Sequence, residues 1–309
     1  SRDGRFIVSG SFDRTVKVWE AGSGREVLCL KGHTRQIQAV AVAPELVILG
    51  SGTAIPTCRR GPTGLILAVA DPTDVVLVDP GPGAVQRACA AGYPLASLRT
   101  VLLTHHHPDH CLDLMALLFA LNNPALPDAL RQQSLEVIGG PGTAALLRSF
   151  TGVFGAWVSL PGDRLVVREL GAGPFRLTPS IAGEAFAVRH SPASLAYRLS
   201  FGPVTLALSG DTDECAAAVE VAREADHYLL EAAMPDDRAM PGHLTPTRAA
   251  RIARDAGCGH LVLTHFYPQV DVELARRQAA AVFGGRITIA EDGLRIPLTP
   301  TPPEPGACP

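Results

Sequence analysis

From Glu45 onward, apolar runs and polar breaks divide the chain into regular elements. Short apolar runs typical of buried strands lie at 46–49, 65–69, 75–79, 101–103, 135–138, 165–167, 186–188, 195–199, 204–208, 228–230 and 261–263. Apolar positions recur with the 3.6-residue period of a helix at about 111–121, 142–150, 212–223, 246–256 and 272–283. The pattern therefore predicts a chain rich in both strands and helices.

The order of these elements predicts the fold class. The first strands follow one another directly, whereas the later strands alternate with helices. Glycine and proline mark most of the junctions, as in Gly140-Pro141-Gly142. Because an apolar sheet must bury both of its faces, we expect an α/β architecture in which two sheets are sandwiched between helices.

The first 44 residues follow a different pattern. Alternating stretches at 6–8, 15–19, 26–30 and 37–42 are separated by Gly, Ser and Asp turns, which predicts four short strands. Several residues stand at the positions of a known motif: Ser9-Gly10-Ser11, Asp13, Val18-Trp19 and Gly32-His33. On these residues the segment resembles a single WD40 repeat. A propeller needs about four to eight such blades, so we interpret the segment as an orphan blade left by a fusion or truncation.

Composition changes at the same boundary. Lys17 and Lys31 are the only lysines, and residues 1–44 carry seven basic against four acidic side chains. The rest of the chain carries 20 basic against 26 acidic side chains, a formal charge of −6, which makes it a poor general binder of polyanions. We therefore predict a WD40-like segment over 1–44, a main domain over 45–292 and, because six prolines follow Gly293, a Pro-rich tail over 293–309.

Cysteine usage and hydropathy indicate the cellular setting. The seven cysteines are scattered and include no C-x-x-C pair. This pattern predicts free, mostly buried thiols in a cytoplasmic protein, and neither a disulfide framework nor a thiolate zinc site. No run of eighteen apolar residues occurs, so no membrane span and no membrane partner are predicted.

Candidate chemistry is concentrated directly after the strand at 101–103. Four of the ten histidines lie there within six positions, in the run His105-His106-His107-Pro108-Asp109-His110. In an extended turn, His105 and His107 point to one side and His106 points away. The start of the following helix brings Asp109 and His110 towards the first pair. Imidazoles and a carboxylate that converge at a strand end suit a borderline metal such as zinc, so we predict a metal site.

Three further stretches accompany this run: Leu49-Gly50-Ser51-Gly52-Thr53-Ala54, Val78-Asp79-Pro80-Gly81-Pro82-Gly83 and Pro241-Gly242-His243-Leu244-Thr245. Together with it they resemble the metallo-β-lactamase superfamily, and within it the branch of ribonuclease Z and related phosphodiesterases, over residues 45–292. The resemblance implies the αββα sandwich of that fold, preceded here by the short all-β segment. It also implies a metal-dependent hydrolase.

The resemblance further implies a dinuclear metal centre. The matching ligands are His105, His107 and His190 for the first metal, Asp109, His110 and His265 for the second, and Asp211 as the bridge. Two divalent ions, expected to be Zn²⁺ with Mn²⁺ or Fe as alternatives, would share a bridging hydroxide. Asp79, which precedes a glycine turn, is expected to hold loop backbone near the metals without binding them.

A general acid is implied as well. In the ribonuclease Z branch, the histidine of a His-x-Thr motif protonates the leaving oxygen and a glutamate holds its ring; His243 and Glu231 match these positions. Histidine titrates near neutral pH and suits that role. With Asp109, these two residues form the predicted catalytic set. Thr245 has a competing interpretation as the N-cap of the next helix, and Asp213 is expected in the first turn of a helix.

The substrate is open to more than one interpretation. Ribonuclease Z enzymes clamp tRNA with a long arm rich in glycine and basic residues, whereas residues 151–164 contain one basic residue. We therefore predict a phosphodiesterase for small phosphodiesters, with nucleic acid not favoured as a partner. The alternatives are tRNA 3′ processing, hydrolysis of a lactone, β-lactam or thioester, and a non-enzymatic WD40-type interaction protein. Homodimer formation also stays open.

Overall fold

The computed structural model describes residues 6–11, 13, 15–31, 44–69 and 74–301 of the chain. Its strands are β1 (Phe6–Gly10), β2 (Val16–Glu20), β3 (Glu26–Leu30), β4 (Glu45–Gly50), β5 (Gly64–Ala68), β6 (Val75–Val78), β7 (Thr100–Leu102), β8 (Leu135–Gly139), β9 (Leu165–Glu169), β10 (Gly173–Thr178), β11 (Ile181–Ala187), β12 (Leu195–Phe201), β13 (Val204–Leu208), β14 (His227–Glu231), β15 (His260–Thr264), β16 (Arg286–Ile289) and β17 (Arg295–Pro297). Its α-helices are α1 (Ala84–Ala90), α2 (Pro108–Leu121), α3 (Asp128–Arg131), α4 (Thr143–Phe154), α5 (Ala216–Glu220), α6 (Pro246–Ala256) and α7 (Val272–Ala280).

Two seven-stranded sheets form the main body of the fold. The first has the strand order β17-β4-β5-β6-β7-β8-β9, and the second runs in order from β10 to β16. Strands β6 to β9 are parallel in the first sheet, as are β13 to β16 in the second, and the other neighbours are antiparallel. Strands β1 to β3 form a small antiparallel sheet.

The strands are apolar on both faces because both faces of each sheet are covered. Along β4, Leu46 and Ile48 enter the core between the sheets, whereas Val47 and Leu49 enter an outer core shared with α1, α2 and α4. Helices α5, α6 and α7 cover the outer face of the second sheet. These four layers confirm the predicted α/β fold with its αββα order.

The C-terminal boundary differs from the prediction. Strand β17 pairs with β4, placing Ile296 opposite Leu46, and both Ile296 and Leu298 are buried in the core. The backbone N–H of Thr301 donates to the carboxylate of Asp226. Residues 295–301 are therefore part of the sheet and its packing rather than a trailing tail, because two apolar side chains outweigh the signal of the prolines around them.

Other expectations have mixed outcomes. Strands β1 to β3 occupy three of the four stretches predicted before residue 44, and the fourth, 37–42, lies outside the described residues. The described cysteines are free, but only Cys111 and Cys258 are buried, so the expectation of mostly buried thiols is wrong; Cys58 and Cys89 lie on the surface. Within the described part of the chain, no helix is long and apolar enough to cross a membrane.

Candidate metal centre

The predicted ligands lie where strands end or helices begin. His105 and His107 follow β7, Asp109 and His110 lie in the first turn of α2, His190 follows β11, Asp211 follows β13 and His265 follows β15. Strands β13, β14 and β15 are parallel, so their carboxyl ends open on the same edge of the sheet. The fold thereby brings together side chains that are more than a hundred positions apart in sequence.

The seven predicted ligands form two groups, and a third possible group, Asp211, His243 and His265, overlaps them. His105, His107, His190 and Asp211 make up the first and Asp109, His110 and His265 the second, with the atoms of each group within 4.8 Å of one another. Asp211 connects them, since its Oδ2 lies 3.8 Å from His105 Nε2 and 3.2 Å from His265 Nε2. Its Oδ1 lies 3.3 Å from His110 Nε2. The fold therefore brings the predicted ligands together around one carboxylate, and their assignment to two metals stays a prediction.

Unpaired atoms at the centre of this cluster fit a bound metal. Among the described residues, His105 Nε2, His110 Nε2 and Asp211 Oδ1 are buried without a hydrogen-bond partner. An unsatisfied buried polar group costs about 1–3 kcal/mol, so such atoms are normally paired. A divalent ion would use these lone pairs, and a donor set of imidazoles and carboxylates suits zinc, with manganese or iron as alternatives.

Asp79 organises one side of the cluster. Its carboxylate accepts hydrogen bonds from the backbone N–H of Thr104 at 2.7 Å and from the Thr104 hydroxyl at 2.6 Å. It also lies 2.9 Å from His110 Nδ1, which leaves Nε2 of that ring directed at Asp211. The residue sits in the left-handed region at φ 46°, as the tight turn after β6 requires. Asp79 thus holds loop backbone and orients a ligand, as the sequence suggested.

Two other ligands are oriented by contacts that the sequence did not reveal. His190 Nδ1 lies 2.8 Å from the carbonyl of Gly242, and the N–H of Gly242 donates to Asp213 at 3.1 Å. His265 Nδ1 lies 2.9 Å from the hydroxyl of Thr63. Asp213 precedes α5 instead of entering its first turn, so the helix-dipole interpretation is wrong. The contact of His190 with Gly242 had one usable signal in the sequence, the glycine that directly precedes the His-x-Thr motif. The contact of His265 with Thr63 had none, because nothing in the sequence distinguishes this threonine from others next to strands.

Burial and neighbouring charges give these ligands different protonation states. Burial, with His110 nearby, lowers the pKa of His105, which keeps that ring neutral and able to offer a lone pair. Burial opposes protonation of His110, but the carboxylates of Asp211 and Asp79 raise its pKa above the ordinary value. Burial likewise disfavours ionised Asp211, yet His265 and His110 hold the pKa of this carboxyl well below its usual range. The central carboxylate is therefore ionised.

A buried histidine–glutamate pair adjoins the cluster. His243 Nδ1 lies 3.0 Å from Oε1 of Glu231, which ends β14, and 4.0 Å from Asp211 Oδ2. Glu231 also accepts hydrogen bonds from the N–H groups of Thr212 and Leu244. Burial opposes protonation of His243, but the hydrogen bond to Glu231 raises its pKa. Since Nδ1 is engaged by Glu231, the position of His243 suits proton transfer through Nε2 better than metal binding.

The remaining candidates have structural surroundings. His106 turns away from the cluster, as expected, and its Nε2 lies 2.9 Å from the hydroxyl of Thr143. Thr245 occupies the N-cap position of α6, although its side chain makes no capping hydrogen bond. His227 and His260, which have no partners nearby in sequence, lie together with their Nδ1 atoms 3.1 Å apart.

Sequence comparisons identify the family of the main domain. Residues 75–266 match the family model described as "Beta-lactamase superfamily domain", and residues 1–20 match "WD domain, G-beta repeat". A Ribonuclease Z of Mycobacterium bovis is 32% identical over 283 residues, which cover 83% of this chain and 99% of that protein. A Ribonuclease Z of Streptomyces coelicolor is 28% identical over 307 residues, covering 82% of this chain and 97% of the relative.

Solved structures show the same fold at lower identity. A metallo-beta-lactamase fold protein from Bacillus subtilis superposes with a TM-score of 0.71 at 21% identity, covering 82% of this chain and 99% of the other. The short form of human tRNase Z superposes with a TM-score of 0.66 at 23% identity, again covering 82% and 99%. These likenesses support the architecture described above.

Proposed function

Because this chain belongs to the metallo-β-lactamase superfamily, and within it to the ribonuclease Z family, we propose that it is a metal-dependent phosphodiesterase that cleaves RNA. The chain is a metal-dependent hydrolase of that fold, as the sequence predicted, which removes the alternative of a purely WD40-type interaction protein. The finer assignment to RNA draws on relatives that share the name Ribonuclease Z and match over nearly their full length.

The observation that carries the proposal is the pair formed by His243 and Glu231 beside the ligand cluster. An RNA phosphodiester releases an alkoxide, and protonation of such a poor leaving group by a placed acid typically contributes about 10²–10⁴-fold in rate. Glu231 fixes the ring through Nδ1 and favours its protonated form, so that Nε2 can deliver the proton. Thioester hydrolysis, one of the other activities considered for this fold, releases a thiolate that needs no acid of this kind.

The metal ions and the side chains of the protein would have separate roles in the rest of the reaction. Two divalent ions, for which zinc is the expected identity, would supply Lewis acidity and a water of lowered pKa. The chain orients the ligand rings through their outer nitrogens and keeps the central carboxylate of Asp211 ionised. Asp109, half-buried at the start of α2, is proposed as a ligand of the second ion and thereby as a catalytic residue.

A second candidate is hydrolysis of small phosphodiesters, and one specific observation favours it. Residues 151–164 complete α4 and continue into a short 3-10 turn at Gly155–Val158, so no projecting arm lies in this stretch. The segment carries one basic residue, Arg164, whose guanidinium bonds the carbonyl of Gln133. With 26 acidic against 20 basic residues after position 44, the surface offers little for a long polyanion.

One experiment separates these candidates. The metal-loaded protein would be given a precursor tRNA with a 3′ trailer and, separately, bis(p-nitrophenyl) phosphate and a chromogenic β-lactam. Specific removal of the trailer supports the ribonuclease, whereas turnover of the small diester alone supports the second candidate. Asp211→Asn is the control that must be inactive in either case. Hydrolysis of the β-lactam without any phosphodiester cleavage, by protein that retains its metals, would contradict both assignments.

A further inference from the structure

Tyr197 is a fully buried tyrosine outside the ligand cluster. It lies on β12, in the core between the two sheets. Its hydroxyl donates to the carbonyl of Leu103 at 2.7 Å. Leu103 directly follows β7 and precedes the candidate ligand His105 by two positions. A side chain of the second sheet therefore holds the backbone of the first sheet immediately before the metal ligands.

The same strand holds the next peptide group as well. The N–H of Leu195, at the start of β12, donates to the carbonyl of Thr104 at 2.9 Å. The hydroxyl of Thr104 in turn lies 3.1 Å from Nδ1 of His105. Nε2 of this ring is 3.8 Å from Asp211 Oδ2 and has no hydrogen-bond partner among the described residues. The placement of this ligand nitrogen thus depends on a backbone that β12 fixes at two successive carbonyls.

Packing fixes the direction of the Tyr197 hydroxyl. The ring of Phe175 on β10 meets the Tyr197 ring edge-on, with the ring centroids 5.7 Å apart. Phe175 lies opposite Gly183 on β11, where a Cβ atom would come as close as 2.4 Å to the phenylalanine ring. The glycine therefore gives this ring room to lie against Tyr197. Burial raises the pKa of the Tyr197 hydroxyl well above its usual value, so the group stays protonated and able to donate.

The acceptor of this bond makes the hydroxyl consequential for the metal centre. Leu103 is fully buried, and buried carbonyls are normally paired. If the hydroxyl is removed, the carbonyl of Leu103 loses this donor, which favours a shift of the backbone towards another partner. Such a shift moves the segment from which His105 projects. Groups outside a ligand set that orient the ligands typically change metal affinity about 10–100-fold when they are removed.

We propose that Tyr197 is a positioning residue for the candidate metal centre: through the Leu103 carbonyl, its hydroxyl holds His105 where the ring binds the first metal. The proposal rests on the metal-dependent function proposed above, but it does not depend on whether the substrate is RNA or a small phosphodiester. Tyr197 itself touches neither metal nor substrate in this role.

Tyr228 provides a matched control within the same sheet. It is also fully buried, and its hydroxyl donates to a backbone carbonyl, that of Ala218, at 2.8 Å. Burial raises the pKa of Tyr228 in the same direction. The acceptor lies on α5, which carries none of the predicted ligands. Tyr228→Phe and Tyr197→Phe thus remove the same kind of bond, but only the bond of Tyr197 leads to a ligand.

The test measures metal binding by the full chain. For the zinc-loaded protein and both variants, competition with a chromogenic chelator gives the dissociation constant of each ion. We expect Tyr197→Phe to weaken the binding of one of the two ions about tenfold, and to change the d–d absorption of that ion in the Co²⁺-substituted protein. Tyr228→Phe should change neither. Urea unfolding should show a similar shift of the midpoint for both variants, which separates positioning from a general loss of stability.

Two results would overturn the proposal. One is unchanged affinity and absorption in Tyr197→Phe, and the other is equal weakening of metal binding in Tyr228→Phe. If Tyr197→Phe does not fold, Phe175→Leu is measured in the same way, since it keeps the hydroxyl but removes the ring that fixes it. Weaker binding of one ion then supports the role of Tyr197, and unchanged binding contradicts it.

These measurements use no substrate, so the two proposals can fail separately. If the zinc-loaded protein cleaves no phosphodiester, the proposed function fails, whereas a selective loss of metal affinity in Tyr197→Phe still supports the positioning role. If phosphodiesters are cleaved but Tyr197→Phe binds both ions as the unaltered protein does, only the positioning role fails. A protein that binds no divalent ion would contradict both.

Discussion

Buried histidines lie at both ends of the parallel strands β14 and β15: His227 and His260 begin these strands, and the candidate metal centre lies beyond their carboxyl ends. The two ends differ in how the ring nitrogens are used. At the start of the strands, His227 and His260 contact each other through Nδ1, and their Nε2 atoms lie 2.9 Å from the Thr299 carbonyl and the Thr288 hydroxyl. At the other end, Nε2 of both His105 and His110 lacks a partner among the described residues. Burial of histidine is therefore no sign of metal binding by itself.

The difference shows what distinguishes a structural histidine pair from a ligand cluster. A neutral imidazole has one donor and one acceptor, and a single choice of tautomers satisfies the contact between His227 and His260 together with those to the Thr299 carbonyl and the Thr288 hydroxyl. In the candidate metal centre, the outer nitrogens are satisfied while inner nitrogens point at one another and at Asp211. Buried nitrogen and carboxylate atoms that converge on one point, several of them without a hydrogen-bond partner, are the physical mark of a cation site.

The strongest test of this comparison removes the carboxylate that joins the two ligand groups. Asp211→Ala should lower turnover on the order of 10⁴-fold, because both ions lose a shared anionic ligand. Metal analysis should fall from about two equivalents per chain to one or fewer. His227→Ala, at the opposite end of the parallel strands of the same sheet, is the control, and it should keep both metals. Full activity in Asp211→Ala would refute the centre.

Removing the proton donor should have the next largest effect. His243→Ala should slow hydrolysis of a simple alkyl phosphodiester by about 10²–10³-fold, since an alkoxide needs protonation. A nitrophenyl ester, whose leaving group departs unprotonated, should slow much less. The rates of both esters are measured at saturating metal. Equal losses on the two would indicate that His243 binds or supports the site and transfers no proton.

Most of the strands and the clustering of the candidate ligands could be predicted from the sequence, whereas the contacts that support these side chains could not. Runs such as 204–208 and 261–263 are apolar on both faces, so their pattern carries a strong signal, and the ligands follow them directly. Strand β10 was missed because its burial alternates weakly, and β17 because it is short and contains a proline. Thr63 contacts His265 across 202 positions of sequence, a separation that no local pattern encodes.

A contact outside the ligand set provides a finer test. Asp213→Ala should weaken metal binding at the first ligand group about tenfold, because Gly242 would lose the bond that places its carbonyl on His190. Competition with a chelator measures this affinity. Asp213→Asn, which keeps an acceptor oxygen, should recover part of it, and Glu214→Ala, which removes only surface pairs with Arg248 and Arg251, should have no effect. Equal weakening by Glu214→Ala would disprove a specific role for Asp213.

The pair formed by His227 and His260 should make the stability of the fold sensitive to acid. Burial, with Arg286 nearby, lowers the pKa of His260 from 6.5 to about 4. The unfolded chain therefore binds a proton between these values that the folded protein does not, and stability falls as the pH drops from 6.5 towards 4. We expect this group to account for about 1–2 kcal/mol of the loss.

Urea unfolding of the protein and of His260→Gln, followed between pH 8 and pH 4, measures that contribution. The variant should lose less stability on acidification, while the metal ligands contribute equally to both proteins and cancel in the difference. Parallel pH profiles would mean that His260 titrates in the fold much as it does in the unfolded chain.

The smallest effect is expected from the segment that resembles a WD40 repeat. All ligand candidates lie at or beyond residue 105, so deletion of residues 1–43 should leave turnover and metal content nearly unchanged. Solubility or oligomeric state is measured alongside by light scattering and is free to shift. A folded truncation that keeps its metals but loses activity would show that the segment shapes the entrance to the site.

The pairing of β17 with β4 has a consequence for how this domain can be inserted into, or fused to, other proteins. Leu298 donates its N–H to the carbonyl of Pro44 at 2.9 Å, and Arg295 pairs with Glu45 at 2.9 Å, so the chain enters and leaves the sandwich at one corner. That corner lies at the start of β4, whereas the loop beyond the end of β4 bridges to Phe266 beside the metal centre. A unit whose two connections meet can be spliced into a host loop, or can acquire new sequence before Pro44, without disturbing its catalytic edge.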